Sequence, residues 1–178
     1  CISDPLRAEA PEAIKALHEC GITNVVMMTG DNHRTAQAVA KAVGVDEVHA
    51  EVLPEDKANF IRQARNQGHV VIMVGDGVND SPALSEADVG IAISTGAAIA
   101  QEIADITVSS EDLMALVTLR KLSCALMDRI HANYRVIIGF NCGLIGLGLA
   151  GILPPTTSAL LHNTSTLAIS MKSMTNLL

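Results

Sequence analysis

The chain has 178 residues, a formal net charge of -7, a hydrophobic fraction of 49% and an aromatic fraction of only 2%. The acidic balance argues against a nucleic-acid partner, because proteins that bind nucleic acid usually carry a basic patch. The four cysteines lie far apart and form no CxxC pair, which argues against a disulfide framework and a ribbon-type zinc site. The chain begins at Cys1 and shows no signal peptide, and we expect it to be a piece of a longer protein.

Residues 1–117 alternate between helix-like and strand-like segments. Amphipathic segments, several of them closed by glycine, predict helices, and short apolar runs between them predict buried strands. The predicted helices are 9–20, 33–44, 55–68, 81–87 and 97–104, and the predicted strands are 22–29, 48–53, 69–75 and 89–93. This alternation predicts an α/β fold, a Rossmann-like partial domain with a mostly parallel sheet and helices on its faces.

The rest of the chain differs in character. A predicted helix over residues 116–135 carries four arginine and lysine residues, and the segment Val136–Leu153 has no charged residue over 18 positions. As a helix this segment spans roughly 27 Å, which is close to the hydrocarbon thickness of a bilayer. Two prolines then turn the chain, and a moderately apolar segment at 158–178 is long enough to return. The pattern predicts a transmembrane helical hairpin.

We therefore predict two domains, residues 1–117 and residues 118–178. The second domain is expected to hold a helix that leads into the membrane and two transmembrane helices. A buried helix in a soluble core is the alternative for the first apolar segment. Basic residues before that segment, and Lys172 near the far end of the second, place both termini in the cytoplasm by the positive-inside rule. A multi-pass membrane protein, in the plasma membrane, is the resulting expectation.

Two polar loops follow predicted strands at their carboxyl ends, where ligands bind in sheets of this kind. The loop after the third strand carries Asp76, Asn79 and Asp80. Carboxylate and amide oxygens are the ligands that Mg²⁺ prefers, and neighbouring glycines let the backbone approach a ligand closely. This spacing predicts a magnesium site formed by Asp76 and Asp80, with Asn79 supporting it. An ordinary turn rich in turn-forming residues is the alternative for this loop taken alone.

The loop after the first strand contains Thr29, Gly30 and Asp31, which offer a hydroxyl and backbone N–H groups to a phosphate. Lys57 lies at the start of a predicted helix, where its charge can meet a phosphoryl group. Alone, Lys57 would more often be a solvated surface charge. Together with the acidic loop, these residues form a set suited to phosphoryl transfer.

These segments resemble a known family. TGD at Thr29, PEDK at Pro54 and GDGVNDSPAL at Gly75 resemble the later motifs of haloacid-dehalogenase-like phosphotransferases, and the ten-residue motif resembles the hinge of P-type ATPases. DPLR at Asp4 and GAAIAQEIADI at Gly96 fit as well. With the predicted hairpin, the chain resembles the C-terminal part of a heavy-metal-transporting P-type ATPase. Residues 1–117 then correspond to the second half of the phosphorylation domain.

The resemblance implies ATP-driven movement of a transition-metal cation through the bilayer, with an aspartyl-phosphate intermediate. It implies Mg²⁺ as cofactor, ATP as substrate, and catalytic roles for Thr29, Gly30, Asp31 and Lys57. The family's nucleophile lies in a DKTGT motif, and that string does not occur in this sequence. We therefore expect a fragment that lacks the N-terminal part of the same pump, with its nucleotide domain, and that is inactive alone.

Two alternatives remain open at this point. The first is a membrane-tethered haloacid-dehalogenase-like phosphatase, which would need its own nucleophilic aspartate near the N-terminus. Asp4 is the one early aspartate, and it precedes proline and leucine, which counts against this alternative. The second is a non-catalytic interaction module that keeps affinity for Mg²⁺.

Polar residues in the predicted membrane helices form a candidate path for the transported metal. His162, Ser165 and Thr166 share one face of the second helix, and Asn141 and Cys142 lie in the first. Hydrogen bonding between helices is the alternative role, and for Cys142 simple packing is the better interpretation. Judged by the resemblance, His162 stands where copper pumps carry methionine and zinc pumps carry aspartate. Because imidazole suits borderline divalent ions, we predict a divalent transition metal as substrate.

Overall fold

The computed structural model describes residues 6–76, 79–93, 103–108 and 112–176. The chain divides into two compact units, Cys1–Thr118 and Leu119–Leu178. The division lies close to the predicted domain boundary, and the role predicted for each domain stays a prediction.

Several predicted features fall outside the described residues. These are Asp4 and Pro5, the first two residues of the DPLR motif, Gly96 with most of the segment that follows it, and Gly77 and Val78 in the centre of the acidic loop. The predicted helix at 97–104 is described only at its last two positions.

The first unit is an α/β structure. Its helices are α1 (Ala10–Glu19), α2 (His33–Val43), α3 (Pro54–Asn66) and α4 (Ser81–Glu86). Its strands are β1 (Val26–Met28), β2 (Glu47–His49), β3 (Ile72–Gly75), β4 (Val89–Ile93) and β5 (Ile106–Val108). All four predicted strands form: the fourth has the predicted bounds, 89–93, and the other three are shorter or shifted. The strand β5 is not among the predicted strands.

The strands form parallel sheets. β1 pairs with β2, with Val26 opposite Glu47. β3, β4 and β5 form a second sheet in that order, in which Ile91 of β4 lies between Val74 and Ile106. Helix α2 connects the paired strands β1 and β2, and α4 connects β3 and β4, because parallel pairing requires a crossover connection. The prediction of an α/β fold with parallel strands is confirmed, and the carboxyl ends of β1 and β3 lead into the two polar loops.

Helix boundaries follow from local chemistry. The Asn32 side chain accepts a hydrogen bond at 3.0 Å from the backbone N–H of Thr35, which caps the start of α2. Gly44 ends the same helix with φ of 84°, in the left-handed region that favours glycine. The predicted glycine stop at this position is therefore confirmed.

One apolar cluster holds together the elements that carry the polar loops. Ile61 of α3, Met73 of β3, and Ala83 and Leu84 of α4 are buried against one another, and Met28 at the end of β1 packs against them. Burial of such side chains contributes about 1.5 to 3 kcal/mol for each large residue. Both strands that precede a polar loop thus contribute to the same core.

The second unit is helical. Its helices are α5 (Met114–Leu149), which begins before the unit boundary, and α6 (Pro155–Ser173). The two helical segments predicted up to Leu153 form one continuous helix of 36 residues. Among the described residues, α5 is the one helix long and apolar enough to cross a membrane. The second membrane helix stays a prediction.

Hydrogen bonds join the two helices within this unit. The Arg129 guanidinium donates to the backbone oxygens of Ser173, Thr175 and Asn176 at 3.1, 2.5 and 2.6 Å. Asn133 donates from Nδ2 to the Ser173 hydroxyl at 2.7 Å. The last carbonyls of a helix have no partner inside that helix, and here a side chain of α5 satisfies the last carbonyl of α6, that of Ser173, and two carbonyls just beyond it.

Candidate functional site

The acidic loop leaves the carboxyl end of β3. Asp76 follows the strand directly and is exposed, and Asp80 precedes the first residue of α4. The Asp80 carbonyl accepts a hydrogen bond from the Leu84 backbone N–H at 2.8 Å, which is the first helical bond of α4. The backbone of α4 therefore fixes Asp80, while Asp76 is placed by the strand.

Lys57 and Asp80 form an ion pair between α3 and α4. The Lys57 Nζ donates to Asp80 Oδ1 at 2.8 Å, and the two side chains are only 16% and 13% exposed. Lys57 lies in the first turns of α3, and the pair closes because α3 packs against α4. Lys57 is therefore not a solvated surface charge, which was the alternative interpretation of this residue.

Gly75 makes room for the Asp80 side chain. A Cβ atom at Gly75 would lie 2.6 Å from Asp80 Oδ2 and 2.8 Å from Asp80 Cβ. Separations this short force one group to move, and only glycine avoids that at this position. The Asp80 carboxylate thus folds back over the end of β3, one residue before Asp76.

The TGD loop after β1 is held by a local hydrogen-bond network. The Thr29 hydroxyl donates to Asp31 Oδ2 and accepts from the Asp31 backbone N–H, each at 3.1 Å. Thr29 N–H donates to the His49 carbonyl, and the Thr29 carbonyl accepts from Val52 N–H, both at 3.0 Å. The loop is therefore anchored to the chain around β2, and its hydroxyl is oriented before any ligand binds.

Gly30 leaves space at the tip of this loop. A Cβ atom there would have its nearest neighbour, the Val52 carbonyl oxygen, 4.0 Å away. Packing within the described residues does not require glycine at this position. The small residue lets a ligand approach the backbone of the loop closely.

The acidic residues fit one particular mode of magnesium binding. The described residues contain no group of three or more His, Cys, Asp or Glu side chains that could hold a metal ion. Mg²⁺ is usually bound through one or two carboxylates together with water and substrate phosphates, rather than by a complete protein cage. Asp76 and the second oxygen of Asp80 provide donors of that type.

Two further ion pairs, which the sequence does not predict, connect α3 with α4 and with Asp88, the residue before β4. The hydrogen bond from Arg62 lowers the pKa of the Glu86 carboxyl, and Glu86 in turn raises the pKa of Arg62. The Asp88 pKa is lowered, first by the hydrogen bond from Val71 N–H and further by Arg65. Arg62 and Arg65 lie on the same helix as Lys57 and help to fix its approach to α4. Nothing in the sequence pairs them with acids more than 20 residues away.

The candidate metal-path residues meet within the second unit. His162 Nδ1 lies 2.8 Å from Asn141 Oδ1. The hydroxyls of Ser165 and Thr166 both donate to the His162 carbonyl oxygen, at 2.8 and 3.0 Å. Cys142 has a free thiol. The structure therefore brings Asn141 and His162 into direct contact, whereas the two hydroxyls bond to the backbone of their own helix.

Comparison with known proteins identifies relatives over most of the chain. A family model described as haloacid dehalogenase-like hydrolase matches residues 1–88. The manganese-exporting P-type ATPase of Mycobacterium leprae (strain TN) is 43% identical over 169 residues, 94% of this chain and 23% of that protein. Copper-transporting ATPase 2 of Rhizobium meliloti (strain 1021) is 48% identical over 160 residues, 90% of this chain and 19% of that protein.

The fold also matches a solved structure. A crystal structure of a zinc-transporting PIB-type ATPase in the E2.Pi state superimposes with a TM-score of 0.81 at 36% identity. The match covers 95% of this chain and 28% of the other. The chain therefore spans about a fifth to a quarter of the length of the curated relatives it matches.

Proposed function

Because the chain belongs to the heavy-metal-transporting P-type ATPases, we propose that it supplies the second half of the phosphorylation domain and the last two membrane helices of a metal pump. In such a pump the γ-phosphate of ATP passes to an aspartate, and this step drives a transition-metal cation across the membrane. The observation that carries the proposal is the ion pair of Lys57 and Asp80, which holds the Lys57 ammonium beside the carboxyl end of β3.

The Lys57 ammonium is the proposed electrostatic group. Charge on a transferring phosphoryl group is spread over its outer oxygens, so catalysis depends mainly on positioned charges and hydrogen-bond donors. Asp80 holds the lysine ammonium in place, while the Thr29 hydroxyl and the N–H groups at Gly30 and Asp31 donate to phosphoryl oxygens. For this role the bonds between Thr29 and Asp31 must open, because the Thr29 hydroxyl donates to the Asp31 carboxylate and accepts from the Asp31 N–H.

Asp76 is the main magnesium-binding residue in this proposal, with Asp80 and Asn79 supporting it. Bound Mg²⁺ supplies neutralisation of phosphate charge. The nucleophilic aspartate is proposed to lie in a DKTGT segment of the full-length pump, because this sequence does not contain that string. The chain covers only 19–23% of the length of these relatives, which supports this assignment.

The membrane part of the proposal is a hairpin of α5 and α6 with both termini in the cytoplasm, in the plasma membrane. Its support is the apolar length of α5 and the basic residues that precede the uncharged segment. His162, Asn141, Ser165 and Thr166 form the candidate metal path. The relatives are named for manganese and copper, and the solved structure for zinc. Imidazole in place of a sulfur ligand favours a divalent ion for this chain.

The test is metal-stimulated ATP hydrolysis by the full-length pump in proteoliposomes, across Mn²⁺, Zn²⁺, Co²⁺, Ni²⁺ and Cu⁺. We expect stimulation by at least one divalent ion. Stimulation by Cu⁺ alone would contradict the divalent assignment. The match to a hydrolase family model keeps a phosphatase as the second candidate. Hydrolysis of a simple phosphate ester without metal-stimulated ATPase activity would identify that alternative.

A further inference from the structure

The hydrogen bond between Asn141 and His162 links the two helices of the second unit. His162 Nδ1 and Asn141 Oδ1 are 2.8 Å apart. An amide oxygen only accepts, so the bond requires a proton on Nδ1. In a neutral imidazole the other nitrogen, Nε2, then carries the lone pair.

We infer that Asn141 is a positioning residue, which fixes His162 in the tautomer that presents Nε2 to a divalent transition-metal ion. The inference rests on the proposed function, because it deepens the role of the candidate metal path. A histidine that binds metal almost always donates its other ring N–H to an acceptor, which sets the tautomer and the ring orientation. Asn141 provides that acceptor from the neighbouring helix.

The nearby hydroxyls have a different role. Ser165 and Thr166 direct their protons to the His162 carbonyl oxygen at 2.8 and 3.0 Å. They therefore do not compete with Asn141 for the ring nitrogens. Each takes part in a side-chain bond to the preceding turn of its own helix, a pattern that often bends helices locally. Among these candidates, the inference gives the direct metal contact to His162 alone.

A neutral acceptor also suits a transported ion. A carboxylate in place of Asn141 would make the histidine a stronger ligand, and its negative charge would attract the metal ion. Both effects favour tight binding of the metal. An amide orients the ring without adding charge. Reversible loading and release need a ligand that is oriented but not strongly activated.

The competing explanation is simple hydrogen bonding between helices, which in membranes averages about 0.6 kcal/mol. The chain offers a matched control for it. Asn133 lies about two turns earlier on α5 and donates to the Ser173 hydroxyl of α6 at 2.7 Å. It is the same residue type, joins the same two helices, and contacts no histidine in this bond.

The experiment measures Zn²⁺ binding by the full-length pump through competition with a chromophoric chelator. X-ray absorption at the zinc edge counts imidazole ligands in parallel. The variants are Asn141→Leu, Asn141→Asp, Asn133→Leu and His162→Ala. We expect Asn141→Leu to weaken Zn²⁺ binding by about 10- to 100-fold, the usual effect of removing such a hydrogen-bond partner. Asn141→Asp should keep wild-type affinity or better, because it retains an oxygen acceptor. Asn133→Leu should stay within about threefold of wild type, as loss of one average interhelical bond implies.

Three results would overturn the inference. They are wild-type affinity in Asn141→Leu, equal losses in Asn141→Leu and Asn133→Leu, and an unchanged imidazole count in His162→Ala. Failure of the proposed function is measured separately, as absence of phosphoenzyme in the wild-type pump. A pump that binds Zn²⁺ through His162 but forms no phosphoenzyme would keep the inference and remove the proposed function.

Discussion

The ion pair of Lys57 and Asp80 supports a quantitative prediction about the phosphoryl site. Its side chains are 16% and 13% exposed, so its interaction energy should lie between those of exposed and buried ion pairs. Exposed pairs contribute about 0.2 to 1 kcal/mol, and breaking a buried pair costs about 3 to 5 kcal/mol. Hydrogen bonds to charged groups contribute about 1.5 to 3 kcal/mol. We expect a coupling free energy of about 2 to 3 kcal/mol, a factor of about 30 to 140.

The assay is a double-mutant cycle in the full-length pump, with Lys57→Ala, Asp80→Asn and the double variant. The measured quantity is the equilibrium level of phosphoenzyme formed from inorganic phosphate. If Asp80 acts by holding Lys57, the effect of Asp80→Asn shrinks by the coupling factor once Lys57 is alanine, because the residues then act as a unit. Any effect that remains reports the proposed contribution of Asp80 to magnesium binding.

A matched pair provides the control. Arg62 and Glu86 also join α3 and α4, but their side chains are 54% and 32% exposed, so solvent screening should leave them weakly coupled. Effects of Lys57→Ala and Asp80→Asn that add within about 0.5 kcal/mol would refute the reasoning. A coupling no larger than that of the Arg62 and Glu86 pair would do the same.

Three further predictions concern stability, measured by unfolding of the purified full-length protein. Gly90→Ala should destabilise it by about 1 to 3 kcal/mol through overpacking, because the new Cβ would lie 2.8 Å from the Leu84 carbonyl oxygen; an unchanged transition would contradict this. The Asp88 pKa is lowered in the folded state, so its contribution to stability is present above about pH 4 and is lost as pH falls below that value; Asp88→Asn should flatten this acid limb, and an identical limb in both proteins would count against it. Arg129→Leu should lower the midpoint temperature more than Arg135→Leu, an exposed arginine of the same helix, because Arg129 donates to the Ser173 carbonyl at the end of α6 and to two carbonyls just beyond it; equal shifts would show that these bonds are not stabilising.

The elements of the first unit were largely predictable because their signals are local. Asn32 and Gly44 bound α2 through a side-chain cap and a left-handed backbone, and both are visible as single letters. β5 is not predicted because its three residues, ITV, lie between polar neighbours and form no longer apolar segment. β1 and β2 are equally short, but they lie within the longer segments 22–29 and 48–53 or at their edge. The change from basic to uncharged residues near Val136 suggested a boundary in α5. At that point only the character of the side chains changes, and no helix-breaking residue interrupts the chain. The helix therefore continues through it.

The site was predictable in its residue types but not in its contacts. The motif indicated that Lys57 and Asp80 belong to one phosphoryl-transfer set, yet their hydrogen bond depends on the packing of α3 against α4. Helical spacing placed Ser165 and Thr166 on the face of His162. It did not show that their hydroxyls bond to a carbonyl of their own helix, because that choice is made by side-chain rotamers.

The most direct measurement of the central claim is labelling of the full-length pump with γ-labelled ATP, in wild type and Asp76→Asn. The wild type is expected to form an acid-stable, hydroxylamine-sensitive phosphoenzyme, as an acyl phosphate does. Asp76→Asn should lose this label at physiological Mg²⁺ while its circular dichroism is unchanged, because the lost charge belongs to the proposed magnesium site. Normal labelling of Asp76→Asn, or a wild-type label that resists hydroxylamine, would contradict the assignment of this chain to aspartyl-phosphate chemistry.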